Sequence, residues 1–199
     1  MILVIDTETS GKADFKAPYY AQHQPRMLSF CGLLYREDGT LVNQAAMLVR
    51  HKDIEIEPGA AQVNGLTKEI LEKEGLPLSV VLSVIDSMIQ LAHVICAFNT
   101  QFDFLILDSE FFRARRLPQM QEEFNSSFDE FCCMRRATPL CKIPSPYHQG
   151  EYKWPNLQEA HRFFFGEDFK GAHGALADAL ACARIYFHII NLSQQNKTS

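Results

Sequence analysis

Asp6 and Glu8 stand two residues apart at the end of a short apolar run, Ile2 to Ile5. A β-strand repeats every two residues, so both carboxylates face the same side of a sheet, where two anions need a cation. Asp103 follows a second apolar run that ends at Phe98, in Phe98-Asn99-Thr100-Gln101-Phe102-Asp103, so another strand end delivers a further carboxylate. Asp178 lies among small residues in Ala175-Leu176-Ala177-Asp178-Ala179-Leu180-Ala181-Cys182. Such a helix can pack closely on a sheet, and a lone carboxylate there is costly unless a positive charge meets it. Carboxylates converging from two strand ends and two helices suit hard, oxygen-liganded divalent cations, Mg²⁺ or Mn²⁺, held as a pair roughly 3.5–4 Å apart in a phosphoryl-transfer site. His173, in Gly171-Ala172-His173-Gly174, shortly precedes Asp178. With a reference pKa of about 6.5, a histidine on so flexible a loop can accept the proton of an attacking water. Taken singly, each residue has a plainer reading: a solvated turn for Asp6 and Glu8, a helix-dipole charge for Asp103, a surface or capping histidine for His173.

The elements that must position these groups follow from periodicity. Ile2 to Ile5 reads as a buried central strand. Met27 to Tyr35 and Leu41 to Arg50 flank Asp38-Gly39, a hairpin signal. Pro58 to Gly65, Thr67 to Gly75 and Leu78 to Leu91 read as helices, the last with apolar residues at helical spacing. A strand at His93 to Phe98 precedes a helix from Phe102 to Leu117, stopped by Pro118. An edge strand is expected near Phe128 to Cys133, within an irregular stretch from Gln119 to Tyr152 whose fold the pattern does not specify. Leu157 to Phe165 and Ala175 to Ile190 close the chain as helices. This order predicts an α/β domain, a mixed five-stranded sheet flanked by helices, over residues 1–190, with a polar tail over 191–199.

Composition narrows the function. In 199 residues, 19 basic side chains meet 24 acidic ones for a net charge of −5, which excludes a protein that holds nucleic acid by a general basic coat. A polyanionic substrate must be gripped locally. The six cysteines show no CxxC or CxxH spacing, and adjacent Cys132 and Cys133 make poor zinc ligands, so a reduced cytoplasmic protein is expected. No apolar run approaches the roughly 20 residues of a membrane span, and no membrane partner is expected.

Ile5-Asp6-Thr7-Glu8-Thr9-Ser10-Gly11, Val63-Asn64-Gly65-Leu66-Thr67-Lys68-Glu69, Phe98 to Asp103 and His173 to Asp178, in that order, resemble the DEDDh or DnaQ-like 3′→5′ exonucleases, the family that includes the proofreading epsilon subunit of bacterial DNA polymerase III. Cys133-Met134-Arg135-Arg136-Ala137-Thr138-Pro139-Leu140 and Tyr152 to His161 are similar to phage and prophage members. The resemblance covers Met1 to about Ile190. It implies a ribonuclease H-like fold and removal of nucleoside monophosphates from single-stranded or frayed 3′ DNA ends. It implies Asp6, Glu8 and Asp178 as direct metal ligands, Asp103 completing the site partly through water, and His173 as general base. It further implies contacts to the terminal nucleotide from the Thr7 to Gly11 backbone, with Thr9 and Ser10, and from Asn64 and Leu66, with Asn99 and Phe102 close by. Phe98 and Asn64 stand where His is common in the family, and Ser10 where Thr is common; none removes a ligand.

Other readings stay open. RNA in place of DNA is not decided by these residues, nor is a polymerase-associated adaptor or a DNA polymerase partner, although the tail Ser193 to Ser199 lacks apolar docking residues. The loop from Lys12 to Gln24 leaves the strand carrying Asp6 and Glu8, and its Lys12, Lys16, Tyr19 and Tyr20 suit phosphate contacts and base stacking as well as an ordinary surface loop. Arg113, Arg115 and Arg116 close a helix, where cations suit the dipole. Trp154 reads as a packing anchor, and one of Phe163, Phe164 and Phe165 must face away from the core.

Overall fold

The computed structural model describes residues 1–116, 120 and 128–195. A six-stranded mixed sheet has the order β4-β3-β2-β1-β5-β6. Its centre is β1 (Ile2–Thr9), antiparallel to β2 (Met27–Tyr35) and parallel to β5 (Val94–Ala97). Outside these lie β3 (Leu41–Arg50), antiparallel to β2, and β6 (Asp129–Cys132), parallel to β5. The strand beyond the expected five is β4 (Leu76–Pro77), a two-residue piece paired with β3 at Val49 and Arg50. Two residues carry no periodicity, so nothing local announces it.

The helices are α1 (Pro58–Asn64), α2 (Lys68–Glu74), α3 (Leu78–Leu91), α4 (Thr100–Arg113), α5 (Cys133–Cys141), α6 (Leu157–Phe165) and α7 (Ala175–Gln195). Alternation along β1 sorts the two cores. Leu3 and Ile5 pack with Val81, Leu82 and Ile85 of α3 and Ile106, Leu107 and Phe111 of α4. Ile2 and Val4 pack on the opposite face, with Ala137 of α5, Ala160 of α6 and Ala179, Ala183 and Ile185 of α7. With both faces covered, β2 and the first half of β1, Ile2 to Ile5, are apolar almost throughout, as a strand buried on two sides requires.

Local chemistry sets the boundaries. Asn156 and Glu159 form a reciprocal capping box at the start of α6, and Gly166 closes it at φ +73°. Helix α4 ends at Arg113, before the expected Leu117, because Arg115 adopts φ +56° and the Arg115 and Arg116 amides return to the Phe112 and Phe111 carbonyls. These paired bonds end a helix without glycine or proline. Pro118 and the remainder of that expected segment lie outside the described residues. Helix α5 falls inside the stretch left unread, and Pro139 within it masks the pattern by which Cys133, Met134 and Ala137 turn inward. Helix α7 continues past Ile190 to Gln195, so the first residues of the expected tail are helical; residues 196–199 lie outside the described set. Helix α7 is long and apolar enough to cross a membrane, but its apolar side packs on the sheet.

Trp154 is 61% exposed and is not a packing anchor. Its loop is tied down instead by Lys153, whose Nζ donates to both Glu159 carboxylate oxygens at 2.6 and 2.7 Å. Of the three consecutive phenylalanines, Phe163 faces solvent while Phe164 and Phe165 pack against the α7-side core.

Candidate active site

The alternation that divides the cores also builds the site. Asp6 and Glu8 continue the Ile2 and Val4 side of β1 past the end of the apolar packing, toward the start of α7. There Asp178 meets them, and one carboxylate oxygen from each of Asp6, Glu8 and Asp178 lies within 4.8 Å of the others. Asp103 approaches from α4, over the other face. Thr7, on the Leu3 and Ile5 side, donates from Oγ1 to Asp103 Oδ1 at 2.8 Å. Adjacent residues of one strand thus hold a metal-ligand candidate and orient its neighbour.

Asp178 sits in the first turn of α7, and the His173 amide donates to both its carboxylate oxygens at 3.2 Å. That bond requires His173 at φ +69°, in the left-handed region that costs most residues free energy. The exposed His173 side chain stands on the rim of a groove of about 510 Å³ shared with Glu8, Asn64, Leu66 and Leu176.

The electrostatics are those of an uncompensated anion cluster. Burial, then Asp103, Asp178 and Glu8, raise the Asp6 carboxyl well above the usual carboxylate range. Burial and the charges of Asp178 and Asp103 push Glu8 up to about 7, against a hydrogen bond from Asn64. Burial carries Asp103 to about 8 despite the Thr7 hydroxyl, and raises Asp178 against the His173 amide. No ion pair among the described residues involves any of these carboxylates. An all-oxygen donor set with raised pKa values and no ion-paired cationic side chain fits hard divalent cations.

The remaining expected residues divide into two groups. Asn64 Nδ2 donates to the Thr9 carbonyl at 3.2 Å, its Oδ1 accepts from the Leu66 amide at 3.0 Å, and Gly65 at φ +70° closes α1, so this turn is locked beside Glu8. Asn99 Oδ1 is buried with no hydrogen-bond partner, an acceptor left free beside the α4 N-terminus. By contrast, Thr9 donates to the Gly11 carbonyl, Ser10 Oγ accepts from the Arg26 amide, and Phe102 packs against the α3/α4 core. The side chains of Thr7, Thr9 and Ser10 are committed inside the protein, leaving backbone as their surface toward a ligand. The groove adds Met47, Leu48, Leu176 and Leu180, which the motifs do not mark. Leu176 and Leu180 are at helical spacing on either side of Asp178, a usable local signal; Met47 and Leu48 reach the groove only through the β2–β3 pairing.

A second group with ligand-like spacing lies deeper. The sulfurs of Cys96, Cys133 and Cys182 are 3.5 to 3.9 Å apart and fully buried, and burial raises the Cys96 and Cys182 thiols. Cys133 therefore clusters with residues distant in sequence and not with Cys132.

A helix-flanked mixed sheet with clustered carboxylates at the end of its central strand is an α/β fold of the ribonuclease H-like class. The Exonuclease family model, of the RNase T type, matches residues 3–186, and the chain belongs to that family. Solved structures of exonuclease I share the fold. One superposes with a TM-score of 0.74 at 18% identity, covering 96% of this chain and 40% of that one. Escherichia coli exonuclease I with a dT13 oligonucleotide gives 0.72 at 18% identity, over 94% of this chain and 40% of that one. The zinc-bound E. coli exonuclease I complex with single-stranded DNA gives 0.73 at 18% identity, over 96% and 40%. This chain therefore spans less than half the length of those proteins. No curated protein sequence matches it.

Proposed function

We propose that this protein is a 3′→5′ exonuclease of the DnaQ-like, DEDDh type that removes nucleoside monophosphates from single-stranded or frayed 3′ DNA ends. The observation that carries the reading is the convergence of Asp6, Glu8 and Asp178 within 4.8 Å beside the groove rimmed by His173, in a chain of the Exonuclease family. Asp6, Glu8 and Asp178 would hold two Mg²⁺ or Mn²⁺ ions, with Asp103 completing the site. Such ions would lower the pKa of water and offset the charge that develops on the leaving 3′ oxygen.

The chain's own residues do the rest. Leu66, Leu176 and Leu180 line the groove with apolar surface for a terminal base and sugar, whose volume of about 510 Å³ suits a ligand of that size. Asn64 keeps the Leu66 turn against Glu8. The His173 imidazole takes the proton from the attacking water, a step that contributes typically about 10²–10⁴-fold. Because the His173 amide also holds Asp178, movement of this loop couples the base to a ligand carboxylate. A net charge of −5 accords with a site that grips only the last few nucleotides.

The test is a gel assay of 5′-labelled single-stranded DNA, mismatched-end duplex and RNA with Mg²⁺, Mn²⁺ or EDTA, alongside Asp6→Ala. A metal-dependent ladder shortening from the 3′ end, absent in Asp6→Ala, is expected. No cleavage of any substrate, with no metal uptake by calorimetry, refutes the reading and favours an adaptor role.

A further inference from the structure

The loop between β1 and β2 is more constructed than a connection needs to be. Gln24 is 2% exposed, and its side chain accepts from the Asp14 amide at 3.1 Å while donating to the carbonyls of Asp14, Ala17 and Pro18 at 2.8 to 3.4 Å. Helix α4 fastens it from outside. Ser109 donates to the Tyr19 carbonyl at 2.7 Å, and Arg113 donates to the carbonyls of Gln24 and Pro25 at 2.5 and 3.2 Å. At its exit Arg26 grips the fully buried Glu110 carboxylate through Nε and Nη2 at 2.7 and 3.0 Å.

This framework displays aromatic rings to solvent. Tyr19, Tyr20 and Phe112 pack together with centroids 5.3 to 5.9 Å apart, yet Tyr20 remains 55% and Phe112 48% exposed. Phe15, on the same loop, is 49% exposed. Lys12 and Lys16 of the same loop, and Arg115 three residues after Phe112, are exposed as well. Within residues 11–25, Lys12 and Lys16 oppose only Asp14, a local excess of positive charge on a chain of net −5, while Arg26 is spent on Glu110. Exposed rings among cations, rigidly held, suit a ligand that offers flat apolar faces along a polyanionic backbone.

Position supplies the continuity. Asp103 and Phe112 share α4 nine residues apart, about 14 Å along the axis but half a turn around it, so Asp103 turns inward and Phe112 outward; on the Phe112 face, Gln101 and Leu105 line a groove with Tyr19 that runs back to the first turn of α4. The loop itself begins directly after the strand bearing Asp6 and Glu8. We propose that Tyr20 and Phe112, with Lys16 and Arg115, form a stacking platform for single-stranded DNA, binding bases upstream of the 3′ terminus. This rests on the exonuclease reading above and extends it from the terminal nucleotide to the strand that follows.

The experiment compares two substrates: dT10, long enough to reach the platform, and thymidine 5′-(p-nitrophenyl phosphate), which fills only the terminal site. Tyr20→Ala and Phe112→Ala are expected to raise KM for dT10 by about 5- to 100-fold with little change in kcat, and to leave the mononucleotide ester unaffected. Tyr20→Trp is expected to restore KM for dT10 to within about twofold of wild type, because a larger π-face stacks as well. Unchanged KM for dT10 in both alanine variants overturns the platform, as does an equal loss on the mononucleotide ester. A loss confined to an rU10 strand overturns the assignment to DNA. Should the wild-type protein cleave neither substrate, the nuclease reading falls, and the platform is decided by anisotropy of labelled dT10: tighter binding to wild type than to Tyr20→Ala sustains it, and equal binding overturns it.

Discussion

Replacing Glu8 by Gln removes one charge from the carboxylate cluster while keeping its shape. In the metal-free protein Glu8 is pushed from its usual 4.5 to about 7 by burial and by Asp178 and Asp103. A carboxyl whose folded-state pKa is raised holds its proton more tightly in the folded protein. Its contribution is therefore fully present below about pH 4.5 and is lost as pH rises through 7. Between pH 5 and 8.5 the wild-type protein in EDTA is expected to lose about 2–3 kcal/mol through this group, and Glu8→Gln is expected to avoid that loss. For a domain of this size the difference is roughly 5–10 °C in Tm. The measurement is thermal unfolding of both proteins in EDTA at the two pH values, taking the difference between them so that other titrating groups cancel. With Mg²⁺ the gap narrows, since wild type gains about 2.7 kcal/mol at a hundredfold excess over its dissociation constant and the variant gains less. If Glu8→Gln in EDTA at pH 8.5 is no more stable than wild type, the cluster does not store the repulsion described and the cation-site argument fails.

His173→Ala is expected to keep the Mg²⁺-induced rise in Tm but to lose about 10²–10⁴-fold in turnover on single-stranded DNA; wild-type rates would remove His173 from the base role. Arg26→Ala leaves the buried Glu110 carboxylate with Arg113 as its remaining charge partner, and should cost about 3 kcal/mol in urea unfolding. A cost below about 1 kcal/mol would mean that Arg113 alone neutralises it. Asn156→Ala opens the capping box of α6 and should cost about 1 kcal/mol by the same measurement, with activity on DNA retained.

What was legible in the sequence was local. The period of two from Ile2 to Glu8 placed Asp6 and Glu8 on one face, and the helical spacing of apolar residues from Leu78 to Leu91 marked α3. The features that escaped are those settled at a distance. Strand β4 exists only because β3 offers an edge to Leu76 and Pro77. Helix α4 stops at Arg113 through backbone bonds made with Arg115 in the left-handed region, where no glycine marks the end. The cluster of Cys96, Cys133 and Cys182 joins β5, α5 and α7, and no spacing in the chain brings such residues together.

The same limit explains why the motif residues carry unequal weight. Thr7, Thr9 and Ser10 sit in the motif beside the carboxylates, yet their hydroxyls are spent on Asp103, on Gly11 and on the Arg26 amide. Their role is to fix geometry: Thr7 holds Asp103 toward the face that Asp6 and Glu8 do not occupy, so carboxylates from both sides of the sheet meet at the end of β1. Such an arrangement needs a central strand buried on both faces, because only there can alternate residues reach opposite layers of helices. The double apolar covering of β1 is thus a requirement of the site as well as of the fold. Polar substitution at Leu3 or Val4 should accordingly disturb metal binding even where the protein still folds.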